Sequence, residues 1–100
     1  MTFKVSFRPL AVEDLRNLHN YIAQQSGPAA AAGYIDRIEA ACLALSQFPR
    51  RGRPRDDIRA GLRTLAFERR VLIVYDIRGK TVRILSILYG GRDFEGMFGP

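Results

Sequence analysis

Between residues 70 and 93 the chain carries two apolar, β-branched runs around a short polar break. Val71 to Ile77 is the first and Val82 to Tyr89 the second, with Arg78-Gly79-Lys80 between them. Gly79 is free to take the positive φ that a tight turn needs, so the pattern predicts a β-hairpin. Alternation places Val71, Ile73, Tyr75 and Ile77 on one face and Leu72 and Val74 on the other. In the second run Val82, Ile84 and Leu88 are expected to oppose Leu85, Ile87 and Tyr89. Strands that are apolar on both faces belong in the middle of a sheet, under cover.

The rest of the chain supplies that cover and extends the sheet. Thr2 to Arg8 alternates Phe3, Val5 and Phe7 with Lys4, Ser6 and Arg8, the pattern of a half-buried strand. Pro9 suits the first turn of a helix, and Glu13 and Asp14 are placed in that turn, favourable for the macrodipole. Ala11, Leu15, Leu18 and Ile22 form its apolar stripe, broadened by Tyr21, and Gly27 ends it. Pro28 opens a second helix with Ala31, Ile35, Ile38, Cys42 and Leu45 inward, Tyr34 and Phe48 beside them, and Pro49 as its stop. The connection is short, so the two helices form an antiparallel hairpin. Arg50 to Arg59 has no periodicity and is predicted as a loop. Gly61 to Phe67 alternates again, Glu68-Arg69 turns into the central hairpin, and after Gly90-Gly91 a short tail carries Phe94, Met97 and Phe98. The fold class is α+β: an N-terminal strand, an antiparallel helical hairpin, then a three-stranded antiparallel meander, with the helices on one face of the sheet.

One hundred residues make a single domain, 1–100, and a 47 % hydrophobic fraction is ordinary for a globular chain. A single cysteine excludes an internal disulfide and fits a reducing cytoplasm. No stretch approaches the roughly 20 apolar residues of a membrane span, and Lys4 and Arg8 interrupt any signal-peptide core. With one histidine and no C-x-x-C pair, no protein-built metal site and no cofactor are expected. Charge changes the picture more. Residues 1–49 balance Lys4, Arg8, Arg16 and Arg37 against Glu13, Asp14, Asp36 and Glu39, so the whole formal excess of +6 lies in residues 50–100. Arginine outnumbers lysine fourteen to two. Its planar fork suits carboxylates and phosphates, and a basic half points to an acidic partner.

The individual candidates for chemistry weigh mostly toward structure. His19 stands at the edge of a helix stripe with no nucleophile motif beside it. Cys42 falls on a buried stripe, as a small core residue does. Asp56-Asp57, set among arginines, is expected to pair with its neighbours. Gly90-Gly91 follows a strand but precedes no helix pattern, so it is no phosphate loop. Tyr75, mid-strand, reads as a core phenol with one hydrogen bond. Tyr89 and Arg92, at a strand end, are open between site and structure. The cluster Arg50, Arg51, Arg53 and Arg55, followed by Arg59, Arg63, Arg69 and Arg70, is either a solvated charge run or an anion-facing patch.

An ordered set of short pieces then carries a resemblance: Ala11-Val12-Glu13-Asp14-Leu15 with Tyr21-Ile22, Pro49 and Gly52, Gly61-Leu62-Arg63-Thr64-Leu65, Arg70 with Ile73-Val74-Tyr75, and Ile84-Leu85-Ile87-Leu88 running into Gly91-Arg92-Asp93. At these spacings the chain resembles the ParE branch of the RelE/ParE superfamily of bacterial toxin–antitoxin systems. The resemblance implies a toxin neutralised by a ParD-like antitoxin with a ribbon-helix-helix domain and an acidic C-terminal segment. It also implies that DNA gyrase is inhibited on cleaved DNA, without catalysis by the toxin and without sequence-specific nucleic-acid binding. The alternatives are a RelE-like ribosome-dependent messenger-RNA endoribonuclease, or an inactive member that only binds antitoxin. The RelE-type constellation is incomplete: Arg92 matches a sheet-end arginine, but Phe98 stands where a tyrosine is usual and Leu72 where a basic residue is usual. Antitoxin contacts are expected at Leu10, Leu18, Tyr21, Tyr34, Arg50, Arg51 and Arg53. Target contacts are expected at Arg63, Arg70, Tyr89, Arg92, Phe94, Met97 and Phe98.

Overall fold

In the computed structural model, which describes residues 2–91 and 94–98, strand β1 (Lys4–Phe7) leads into helices α1 (Pro9–Ser26) and α2 (Pro28–Leu43). A 3-10 turn at Ala44–Ser46 follows, then β2 (Arg53–Pro54), β3 (Arg63–Phe67), β4 (Val71–Arg78), β5 (Thr81–Tyr89) and a short helix α3 (Phe94–Phe98). The sheet has five strands in the order β1-β5-β4-β3-β2, antiparallel except for the parallel β1–β5 pair. The α+β class and the order strand, helix, helix, three-stranded meander are those the pattern predicts; β2 and α3 are additions to it. The central hairpin closes through Gly79 and Lys80, with Gly79 at φ 58°. Parallel pairing of β1 follows from the crossover: two helices separate it from the meander, so it returns beside the last strand (Lys4 opposite Thr81, Phe7 opposite Ile84).

Two cores result. Under α1 and α2 lie Ala11, Leu15, Leu18, Ile38, Cys42 and Leu45 against Val71, Ile73, Tyr75, Val82, Ile84 and Ile87. On the opposite face Leu62, Val74 and Leu88 pack with Phe94 and Phe98 of α3. The helical hairpin does cover one face, as expected, but the tail is a helix and covers the other.

Four expectations are corrected in detail. Strict alternation along β5 fails: Ile87 and Tyr89 join Val82 and Ile84, while Leu85 and Leu88 belong to the second core. The cause is a bulge. Tyr75 pairs with Ile84 but Val74 pairs with Ser86, so Leu85 is an extra residue and every later side chain changes face. Glu13 and Asp14 are not in the first turn, because α1 begins at Pro9. Asp14 is buried, and its Oδ2 accepts from the Ser86 hydroxyl at 2.6 Å and the Ile87 amide at 3.0 Å, locking α1 onto the bulge. Helix α2 stops at Leu43 rather than at Pro49, and Phe48 is 67 % exposed instead of lying beside the buried stripe. The arginine-rich loop contains the two-residue strand β2, paired to β3 through Arg53–Thr64 and Pro54–Arg63.

Candidate functional site: an aromatic groove at the turn of the helical hairpin

Where α1 hands over to α2, the sheet ends as well, at the β3–β4 turn and the last residue of β5. Four rings meet there. Tyr21 and Tyr89 have centroids 5.9 Å apart, Tyr89 and Tyr34 6.3 Å, and Tyr34 and Phe67 6.2 Å. The row borders an open hollow of about 430 Å³ lined by Ile22, Ser26, Ala30, Tyr34, Arg37, Glu68, Arg70 and Tyr89. A smaller one of about 170 Å³ adjoins it at Asn17, Leu18, Tyr21 and Tyr89. The small residues Ser26 and Ala30 keep the hollow open, and the Leu85 bulge turns Tyr89 toward the helices.

The rim is charged. Arg37 holds Glu68 through both nitrogens, Nε at 2.9 Å and Nη2 at 3.1 Å, and its guanidinium lies 5.3 Å from the centroid of the Tyr34 ring. This hydrogen bond holds the Glu68 carboxyl below the usual range. Burial, with Tyr89 and Glu68 nearby, raises the Tyr34 phenol against the opposing pull of Arg37 and Arg70, so it stays protonated and able to donate. Glu68 and Arg69 occupy left-handed backbone at φ 47° and 66°, an uncommon state for such residues, and this turn presents Arg70 at the rim. Apolar rings with a cationic border suit a partner segment that is apolar on one side and acidic on the other.

The expected site residues fall into several groups. Tyr21, Tyr34, Tyr89 and Arg70 come together in one groove, although the first two were assigned to antitoxin and the others to target. Leu18 is a floor residue, 6 % exposed. Leu10 is exposed but lies eleven residues before Tyr21 on α1, about 16 Å away along the helix axis. Arg63 is turned inward: its Nη1 donates to the carbonyls of Arg50 (3.1 Å) and Gly52 (2.8 Å). Phe94 and Phe98 are 8 % and 9 % exposed and pack on the sheet, so they are not the exposed anchors expected of the tail, whereas Met97 is 40 % exposed. Arg50, Arg51 and Arg53 are exposed beyond the far end of α2. Arg92 lies outside the described residues.

Tyr75 makes two hydrogen bonds, not one. Its hydroxyl accepts from the Gly52 amide and donates to the Pro49 carbonyl, each at 2.8 Å. Asp57 pairs with Arg55, as its setting among arginines implies, whereas Asp56 accepts from the Gly61 amide. Among the described residues no group of three His, Cys, Asp or Glu side chains is arranged to hold a metal, and no helix is long and apolar enough to cross a membrane. Arg37, Glu68 and Phe67 were not singled out from the sequence. The Arg37–Glu68 pair spans 31 positions and has no local signal.

Residues 5–94 match the family described as ParE toxin of type II toxin–antitoxin system, parDE. The chain belongs to the ParE toxin family. It is 35 % identical over 86 residues to toxin ParE3 of Caulobacter vibrioides, covering 86 % of this chain and 85 % of that one. Among solved structures it is similar to a chain of the chromosomal ParDE toxin–antitoxin system of P. aeruginosa, with a TM-score of 0.78, 25 % identity, and coverage of 88 % of this chain and 96 % of that one. It is also similar to a chain of the RelBE2 toxin–antitoxin complex of Mycobacterium tuberculosis, with a TM-score of 0.65, 26 % identity, and coverage of 90 % and 100 %. The ParE match takes in the whole aromatic groove, from Tyr21 to Tyr89.

Proposed function

We propose that this ParE-family toxin acts in the cytoplasm by inhibiting DNA gyrase without performing catalysis itself, and that a cognate ParD-like antitoxin neutralises it by covering the aromatic groove. The family supports the toxin role, and the similar solved structures are of toxin–antitoxin systems, which supports a cognate antitoxin for this chain. The observation that carries gyrase over RNA cleavage is Phe98. Cleavage by a 2′-hydroxyl needs groups that give and take a proton at the reacting phosphate. The position where RelE-type relatives are expected to carry a phenol holds a phenyl ring, 9 % exposed and stacked 5.7 Å from Phe94. Leu72, where a basic residue would stand, lies beside the same apolar cluster.

In the groove, the rings of Tyr21, Tyr34 and Tyr89 take apolar side chains of the antitoxin segment, and Arg70 meets its carboxylates. Tyr89 and Arg70 thereby move from the target surface to the antitoxin surface, leaving Met97 and Arg92 as the candidates for the target. Purified toxin added to gyrase and supercoiled plasmid is expected to accumulate cleaved linear DNA, with transcript on programmed ribosomes left intact. Cut transcript together with unaffected gyrase would reverse the assignment. Inertness in both assays would leave antitoxin binding as the function.

A further inference from the structure

Beyond α2 the chain crosses the end of the sheet through Phe48, Pro49, Arg50, Arg51 and Gly52, and this short segment is held more firmly than a surface loop usually is. Four hydrogen bonds fix its backbone from beneath. The Tyr75 hydroxyl takes the Gly52 amide and the Pro49 carbonyl, and Arg63 takes the Arg50 and Gly52 carbonyls. Both anchors belong to central strands, and Tyr75 is fully buried. Gly52 lies so close over the phenol that a Cβ there would stand 2.5 Å from its oxygen. With the backbone polar groups turned inward, the side chains of Phe48, Arg50 and Arg51 turn outward, while Pro49 is buried and forms the floor between them. Phe48 is 67 % exposed, and Arg50 and Arg51 are exposed and make no ion pair among the described residues. Phe48, Pro49, Arg50 and Arg51 line an open hollow of about 580 Å³.

The neighbouring arginines show what the alternative looks like. Arg55 pairs with Asp57 and Glu95 and lies over Phe94, and Arg59 lies over Phe98, so these cations are used in folding. Arg50 and Arg51 are not. An aromatic ring beside two unpaired guanidinium groups, on a backbone whose ordering cost is already met by folding, has the residue types and rigidity of a binding hot spot.

We infer that the Phe48–Arg51 segment is a second docking surface, separate from the aromatic groove, which receives an acidic protein segment carrying one large apolar side chain. The apolar side chain seats against Phe48 and Pro49, and flanking carboxylates meet the guanidinium forks of Arg50 and Arg51. Charge complementarity selects an acidic occupant. A single ring within a short turn, without a row of aromatics along a basic track, favours one peptide anchor over a stacked single strand. The groove is built on the N-terminal half of α2 and this surface lies past its C-terminus. The two are therefore about 20 Å apart along the helix, and both can be occupied at once.

The test uses the full chain and fluorescence anisotropy at low salt. The probe is a labelled twelve-residue peptide of Glu and Asp with one central Leu, compared with the same peptide carrying Ser at that position and with a twelve-nucleotide single-stranded DNA. Phe48→Ser and the double variant Arg50→Glu/Arg51→Glu change exposed positions, and unchanged thermal melting shows that the fold is intact. The expected result is that Phe48→Ser and the Leu-to-Ser peptide each weaken binding about tenfold. The double variant is expected to remove binding at this surface, leaving only what the groove contributes, and Tyr34→Ala to leave the Phe48-dependent share of binding in place. The inference is overturned if the two peptides bind equally, if Tyr34→Ala removes the Phe48-dependent binding, if the DNA binds more tightly in a Phe48-dependent way, or if the peptide does not bind. The readout is binding by the toxin alone, so it is decided separately from the gyrase assay.

Discussion

On the face under α1 and α2, twelve buried residues from five elements form one apolar mass, and Asp14 adds a buried carboxylate that fixes the helix to the β5 bulge. On the opposite face five buried residues suffice, and their cover is the five-residue helix α3 with Arg55 and Arg59 laid over its rings. The first face is covered by two continuous helices, with Tyr75 buried at its centre and a row of further aromatic rings at its rim. The second uses cations that are otherwise surface groups to roof a small core. The difference teaches where each function of the chain can reside. It predicts that the groove rests on the part of the molecule least able to yield, and that the C-terminal helix opens without the rest unfolding.

The largest effect that tests this contrast is a paired truncation. Ile38→Ala removes a fully buried side chain between α2 and the sheet and is expected to cost about 2–5 kcal/mol in urea unfolding. Phe98→Ala is expected to cost only about 1–3 kcal/mol, because α3 can settle or detach where α2 cannot. Its signature is faster amide exchange confined to residues 94–98 and the Arg55–Arg59 loop. Equal losses from the two variants, with exchange spread over the whole chain, would make the two faces a single cooperative unit.

Next in size are the two polar locks. Asp14→Ala leaves the Ser86 hydroxyl and the Ile87 amide unpaired in the interior and should cost about 2–3 kcal/mol. Tyr75→Phe strands the Gly52 amide and the Pro49 carbonyl, at about 1–3 kcal/mol, and loosens the Phe48–Arg51 segment with little change elsewhere. Calorimetry ranks the two. If Asp14→Ala melts like the unsubstituted chain, the bulge is held by strand pairing alone.

The strands of the central hairpin were legible because period-2 alternation survives in the sequence from Val71 to Ile84. The bulge was not: an extra residue such as Leu85 changes no composition, only the face of everything after it, and so alternation sets Tyr89 opposite Val82 and Ile84 when it shares their face. The tail illustrates another limit. Five residues are too few for a helical period, so Phe94 and Phe98 looked like exposed anchors when they are core. The groove was half legible. Tyr21, Tyr34, Arg70 and Tyr89 were each singled out by residue type and position, but nothing local joins residues 21 and 89. The Arg37–Glu68 bridge carried no signal, since two charges 31 positions apart meet only once α2 and the β3–β4 turn are in place.

A smaller effect is read at Cys42, inside the first face. Burial, with Glu39 nearby, pushes its thiol up to about 12. An unfolded cysteine titrates at about 8.5. Between those values the unfolded chain loses a proton that the folded chain keeps, so the contribution of this thiol to stability is constant below about pH 8 and falls as pH rises toward 12. At pH 8 a thiol reagent is expected to label Cys42 only at the rate of global unfolding. Labelling at the faster rate of α3 opening would mean that the first face opens with the second.

The smallest effect belongs to the rim of the groove, and it is one of geometry more than of stability. Arg37 and Glu68 are 54 % and 44 % exposed at their side chains, so solvent screening leaves their ion pair little energetic weight. What the pair does is hold the guanidinium over Tyr34 and join α2 to the left-handed turn at Glu68 and Arg69. The hydrogen bond from Arg37 lowers the Glu68 carboxyl below its unfolded value of about 4.3. A depressed carboxylate contributes above the unfolded value and is lost as pH falls through the folded one. The groove should therefore be indifferent to pH from 8 down to about 5, and its rim should release only below about pH 4. Ring-proton shifts of Tyr34 are expected to follow that transition in the native chain and to lose it in Glu68→Gln, with the melting temperature almost unmoved. If Glu68→Gln keeps the acid transition, another group controls Tyr34, and the groove draws its order from the helices beneath it, with no contribution from the bridge across its mouth.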